Sequence, residues 1–361
     1  MRRLLRTPDI RSERLRADIV SVLLDCVQEK IFPGAVAALI SPTDEATIPF
    51  GRETYDSDAQ PIKDDSIFDA ASLTKIVATA TSVMQLVERN ELSLDDRACK
   101  FLPRLKRADK EGITIAQLLG HTAGFPGGEP LRPCQSREEI LDMIFSMDLV
   151  YPPGTNRIYD DLGFILLGLI VEFVTGSPLD KYCERHIFAP LGMGETLFRP
   201  SERLRGRIVP TEIDAERGGL LRGMVHDHSA YVLDGVAGHA GLFTTAHDLG
   251  RFARSMMEAC ADTKPGILTR TSIARMWSRL WKDGEGEYGL GWDRLRPSYM
   301  NGIDDSDAVG HTGFTGVSLV ISPCRNLAVI LLSNRVHPVR TERPLIGQAR
   351  RGLVEAVMRH C

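Results

Sequence analysis

In this 361-residue chain the segments suited to form strands lie near the two ends, with a long helical stretch between them. Ala35 to Ser41 is an unbroken small-apolar run that reads as a buried strand. Ala46 to Phe50, after the turn Pro42-Thr43-Asp44, reads as a second strand. Near the other end, Thr315 to Ser322 and Asn326 to Ser333 are separated only by Pro323-Cys324-Arg325, the pattern of a hairpin. Between them, helical periodicity picks out Ile115 to Gly120, Ser136 to Ser146, Asp161 to Val174 and Leu179 to Ile187. Ser136-Arg137-Glu138-Glu139 has the form of a capping box. Ser12 to Lys30, Ser72 to Asn90 and Arg343 to Arg359 carry amphipathic helix patterns. The order helix, strands, helical block, strands, helix predicts an α/β fold of the α+β type: an antiparallel sheet flanked by terminal helices, with a mainly helical inserted lobe. The expected lobes are a discontinuous α/β lobe, 1–85 and 205–361, and a helical lobe, 86–204, with the active site between them.

Charge argues against several classes of partner. The net charge is −4 with no Lys/Arg block, so nothing points to nucleic acid or an anionic membrane surface. No apolar run approaches the ~20 residues of a membrane span. Charge returns by Asp9, before any signal-peptide core can form, so the expected location is cytoplasmic. The seven cysteines are odd in number and widely spaced, which suits reduced thiols.

Chemistry is suggested first by Ser72-Leu73-Thr74-Lys75. At i, i+3 the serine and lysine share a helix face, and a lysine beside a hydroxyl is one way to activate a nucleophile. The plain alternative is a helix-start serine and a solvated lysine. Two further segments stand out. Tyr159 and Asp161 lie after a Pro153-Gly154 turn and just before a helix, and His311-Thr312-Gly313 is expected to open a strand. Taken singly, these read equally as a packed boundary tyrosine and a glycine-rich strand start.

Together and in this order, the three segments resemble the serine β-lactamase and penicillin-binding superfamily. The branch is that of class C β-lactamases, D-Ala-D-Ala carboxypeptidases and family VIII carboxylesterases, which use Ser-x-x-Lys, then Tyr-x-Asn or a variant, then Lys-Thr-Gly or His-Thr-Gly. Ile113 to Gly124 (Ile-Thr-Ile-Ala-Gln-Leu-Leu-Gly-His-Thr-Ala-Gly), Ile187 to Met193, Gly238 to Asp248 and Tyr288 to Trp292 also fit, from about residue 30 to 335. The resemblance implies a class C β-lactamase-like fold and an acyl-enzyme on Ser72. Lys75 would supply local positive charge. Tyr159 would take the serine proton as a phenolate, kept ionised by Lys75 and His311. The backbone N–H groups of Ser72 and Phe314 would form the oxyanion hole, and His311, Thr312, Gly313 and Asp161 would line the substrate.

Two departures shift the expected substrate. Asp161 stands where the family carries an asparagine that donates to the substrate amide, and an ionised carboxylate cannot donate. His311 replaces lysine and offers a weaker, pH-dependent charge. Both favour a carboxylesterase on short acyl esters. A β-lactamase, a D,D-carboxypeptidase or a D-amino-acid amidase is the alternative, and a non-catalytic binding member of the superfamily is the reading of a different class. The substrate in each case is a small ester, amide or β-lactam. No cofactor and no metal is expected, although His226-Asp227-His228, with His239 and His247, has the look of a histidine cluster. The sequence is silent on oligomeric state.

Overall fold

The computed structural model describes residues 7–264, 266–303, 307–340 and 345–361. The first strands, β1 (Gly34–Ile40) and β2 (Glu45–Gly51), form an antiparallel hairpin. The later strands are β3 (Trp281–Asp283), β4 (Gly286–Tyr288), β5 (Asp293–Arg294), β6 (Val309–Thr312), β7 (Ser318–Ser322) and β8 (Leu327–Ser333). They assemble into one sheet in the order β2-β1-β8-β7-β6-β5-β4-β3. The chain ends meet where β1 pairs antiparallel with β8, from Ala35 opposite Ser333 to Ile40 opposite Ala328. An isolated hairpin is marginal in water, so this pairing is what lets either end form strands.

Every residue of β1 and β8 is buried. Successive side chains point to opposite faces, and each face has its own cover. Ala35, Ala37, Leu39, Val329 and Leu331 pack with the terminal helices α1 (Glu13–Gln28) and α5 (Leu345–Met358). Val36, Ala38, Ile40, Ile330 and Leu332 join the larger core shared with the helical block. Burial on both faces explains why these strands read as continuous apolar runs rather than alternating ones.

Several boundaries differ from expectation. The helix expected from Ser72 begins at Leu73, after a turn, and its first full segment, Lys75–Ala80, is π-helical before α2 (Thr81–Glu88). The strand expected from Thr315 begins at Ser318, because residues 313–316 form a tight turn in which the Gly316 N–H donates to the Gly313 carbonyl. His311-Thr312-Gly313 therefore ends β6 rather than opening a strand. The Ser136 capping box is only half present. Ser136 Oγ accepts from the Glu139 N–H, but the Glu139 carboxylate accepts from Gln135 instead of Ser136. The complete box is at Thr114 and Gln117. The closing helix expected from Arg343 is seen as Leu345–Met358, and positions 343 and 344 lie outside the described residues.

Candidate active site

The turn that carries Ser72 is held from beneath by a buried carboxylate. Asp69, 2% exposed, accepts from the Ala71 N–H at 2.8 Å and from the His226 N–H at 2.7 Å. Burial raises its pKa, and the two backbone donors oppose that. Ala71 is thereby held at φ +44°, a conformation costly for a residue with a Cβ and frequent at functional turns. The helix starts immediately after, so Ser72 stands at the head of the Lys75 segment.

Lys75 is fully buried, and its ammonium donates to Ser72 Oγ at 3.0 Å, Asp161 Oδ1 at 2.6 Å and the His239 carbonyl at 3.3 Å. Burial alone would lower its pKa. The Asp161 carboxylate, with help from Tyr159, outweighs burial and holds it above the ordinary lysine value. Gly238 is what brings His239 this close. A Cβ there would lie 2.0 Å from the Phe164 carbonyl, so only glycine lets this loop pack on α3 (Leu162–Thr175). Thr79 Oγ1 donates to the Gly238 carbonyl at 2.7 Å and fixes the same loop.

Tyr159 lies across the cleft, with the Lys75 ammonium 4.9 Å from its ring centroid. The expectation of a phenolate sustained by Lys75 and His311 is corrected here. Tyr159 is 40% exposed, but desolvation at its hydroxyl end raises its pKa; the contacts with Lys75 and Ser72 only partly offset this, while Asp161 adds to the rise. The resting tyrosine is neutral. His311, 4% exposed, is pushed down to about 4 by burial despite nearby Asp293, so it carries no charge at neutral pH. Its Nδ1 lies 2.8 Å from the Thr312 carbonyl.

Beyond β6, Gly313 presses directly on the serine turn. A Cβ there would meet Val317 Cγ2 at 2.5 Å, the Ala70 carbonyl at 2.8 Å and Ala71 Cβ at 3.0 Å. Thr315 Oγ1 donates to the Asp69 carbonyl at 2.8 Å and ties the turns together. Among the described residues, neither the Ser72 N–H nor the Phe314 N–H donates to a protein acceptor. Two unengaged amides beside a candidate nucleophile can receive a developing oxyanion. Phe314 is 45% exposed, with its ring stacked on His226 at 5.6 Å and on the Arg335 guanidinium at 4.4 Å.

Ser72, Tyr159, Asp161, His311, Gly313 and Phe314 line one cleft of about 860 Å³. Arg296, Arg335 and Arg350 also line it. Arg350 donates to the Gly313 and Val317 carbonyls at 2.7 and 2.9 Å. Burial, reinforced by Arg335, pushes its pKa down to about 9, and it stays charged at neutral pH.

The histidine cluster does not assemble. His226 pairs with Glu212 at 2.8 Å, His228 with the Cys134 carbonyl at 3.0 Å, and His247 with Glu45. Asp227 caps the short helix His228–Val232, so the His-x-His pair is not on a strand. His239 Nε2 lies 2.8 Å from Asp227 Oδ1. Burial would raise the Asp227 pKa, but His239 holds it below the ordinary carboxylate range. Donor atoms of Asp161, Asp227 and His239 lie within 4.8 Å of one another, and the cation facing them is the Lys75 ammonium. Asp69, Asp160, Asp227 and His239 had no assigned part from sequence. Asp69 sits in the same segment as Ser72, but one of its two backbone donors, the His226 N–H, comes from over 150 residues away.

Residues 23–351 match the Beta-lactamase family. The chain belongs to that family. A protein of Escherichia coli (strain K12), provisionally named D-alanyl-D-alanine carboxypeptidase, is 32% identical over 316 residues, which is 77% of this chain and 71% of that protein. A Salmonella typhi protein of the same provisional name is 31% identical over 317 residues, 77% of this chain and 72% of its own. The octameric penicillin-binding protein homologue of Pyrococcus abyssi superposes with a TM-score of 0.73 at 25% identity, covering 88% of this chain and 73% of its own. This β-lactamase family member is thus a serine hydrolase with the penicillin-binding fold. Among the described residues, no single helix is long and apolar enough to cross a membrane.

Proposed function

We propose that Ser72 is the nucleophile of an acyl-enzyme mechanism and that the substrate is a D-alanyl-type peptide ending in a free carboxylate. The observation that carries the first part is the convergence on Ser72 Oγ of a buried lysine at 3.0 Å, with unengaged backbone N–H groups of Ser72 and Phe314 on the two abutting turns. Ser72 attacks the carbonyl carbon, and its proton passes to Tyr159. The oxyanion is received by the Ser72 and Phe314 amides, and each such donor contributes roughly 3 kcal/mol in a serine protease. Tyr159 returns the proton to the leaving group and then activates water against the acyl-enzyme. Because the resting tyrosine is neutral, its reactive form is scarce at pH 7, and acylation is expected to speed up as the pH rises through neutrality.

The peptide assignment is supported by the names of the relatives and by a stretch of cleft wall where the Arg335 and Arg350 guanidinium groups lie beside Phe314 and Gly313. The neutral His311 leaves that wall, rather than the third motif, to meet a carboxylate. A second reading, a carboxylesterase, is favoured by Asp161. It accepts from Lys75 and cannot donate to a substrate amide. Turnover of a D-Ala-D-Ala peptide, the same peptide as its amide, and p-nitrophenyl butyrate separates the two. The peptide acid should be the best substrate, and Ser72→Ala should lose turnover by about a thousandfold or more. A p-nitrophenyl butyrate rate far above that for the peptide, with no preference for the free acid, selects the esterase. Activity retained in Ser72→Ala refutes the mechanism.

A further inference from the structure

Directly behind Tyr159 are two buried titratable groups that the mechanism above does not use. Asp160 is 2% exposed and His121 is 3% exposed. Asp160 Oδ1 accepts from the Gly163 N–H at 2.6 Å, and Asp160 Oδ2 lies 3.2 Å from His121 Nδ1. The Asp160 backbone N–H also points to His121 Nδ1, at 3.3 Å. The imidazole packs against the Tyr159 ring at 4.6 Å and the Phe164 ring at 5.1 Å. His121 sits at φ +56°, and its carbonyl accepts from the Tyr151 hydroxyl and from the Ile158 N–H, so its own turn is fixed to the segment leading into Tyr159.

We propose that His121 and Asp160 are a positioning pair that holds Tyr159 toward Ser72, and that the hold requires a proton on the Asp160 carboxyl. This rests on the reading of Tyr159 as the group that takes the Ser72 proton. One ring nitrogen has one in-plane position. Unprotonated, it is shared as a three-centre bond by the Asp160 N–H and the carboxylic acid; protonated, it donates to the carboxylate. Only the accepting state keeps the peptide after Tyr159 bonded to the imidazole. Losing the proton also places a negative charge next to the tyrosine, where negative charge must develop.

The surroundings favour the protonated state. Burial pushes Asp160 up to about 7, with Asp161 adding to the rise and Gly163 N–H, Lys75 and Arg157 opposing it. Burial, with Arg157 and Lys75, keeps His121 neutral, well below the ordinary histidine value. The charged groups facing the pair are Lys75, Arg157, Asp161 and Asp293.

The test measures kcat/KM for p-nitrophenyl butyrate from pH 5.5 to 9 in wild type, Asp160→Asn, His121→Ala, Tyr159→Phe and the double variant Tyr159→Phe/His121→Ala. In wild type the rise with pH should flatten near neutrality as Asp160 ionises. Asp160→Asn, a fixed mimic of the acid that keeps the Gly163 bond, should continue to rise. His121→Ala should lower kcat by about a hundredfold with little change in KM, as expected for a misplaced catalytic group. In the Tyr159→Phe background the same change should cost almost nothing, because the two act as a unit. Fully multiplicative costs, or an Asp160→Asn profile that flattens like wild type, would overturn the pair while leaving Tyr159 in place. Wild-type activity in Tyr159→Phe instead overturns the Tyr159 reading. If His121→Ala fails to fold, the near-isosteric Asp160→Asn profile decides the matter alone.

Discussion

Asp161→Asn isolates the interaction that sets the charge state of the candidate site. The Lys75 ammonium is fully buried, Asp161 is 28% exposed, and they meet at 2.6 Å. At an effective dielectric of about 20, two charges at that distance attract by about 6 kcal/mol. Residual exposure of Asp161 and the amide oxygen of asparagine, which still accepts one hydrogen bond, together reduce the loss. A net destabilisation of about 3 kcal/mol at pH 7 is expected, at the lower end for breaking a buried pair. The same 3 kcal/mol corresponds to a fall of about two units in the Lys75 pKa. The sign against pH follows. The raised lysine pKa contributes stability at all pH values below the unfolded lysine value, and that stability is lost only as pH rises through the folded value. In Asp161→Asn a fall of about two units starts from a value well above the ordinary lysine one, so the lysine stays charged and the deficit should be the same at pH 7 and pH 9.5. Urea denaturation at pH 7 and pH 9.5 measures both values. The variant should also gain acylation by a labelled penicillin, because asparagine donates where aspartate cannot. Equal stability of variant and wild type at pH 7, or a deficit that changes between pH 7 and pH 9.5, would refute the reasoning.

Phe314→Pro removes a backbone N–H that bonds no protein acceptor, so stability should hold while kcat falls by about a hundredfold or more, read by circular dichroism and steady-state kinetics. Gly313→Ala places a carbon 2.5 Å from Val317 and 2.8 Å from the Ala70 carbonyl. It should push the two turns apart and reduce kcat by at least tenfold with a smaller effect on KM, because an error of this size at a reacting centre is costly. Asp160 binds its proton more tightly folded than unfolded, so wild-type stability should fall as the pH rises from about 4 to about 7. Asp160→Asn should abolish that component, which amounts to roughly 4 kcal/mol at most. Thermal unfolding at pH 5 and pH 8 compares the two proteins.

Sequence alone determined the architecture and singled out three residues that the structure brings together in the candidate site. Strand-forming runs at both ends of a chain must pair across it if neither end can sustain a sheet, and β1 beside β8 is that pairing. Ser72, Lys75 and Tyr159 were legible because the spacing of a local motif carries their chemistry and because the blocks fall in a recognisable order. Tertiary structure decided the charge states. His311 reads as a titratable cation in sequence, yet burial leaves it neutral, and Tyr159 stays protonated although a lysine lies against its ring. Desolvation depends on everything packed around a group, and no spacing rule encodes it. The supporting groups were hidden for the same reason. Asp69 is bonded to His226, Lys75 to Asp161 and the His239 carbonyl, and Asp160 to His121, each pair joined across a long stretch of chain. The sequence names the serine and the lysine. The packing of distant loops decides which of the groups around them carry a charge.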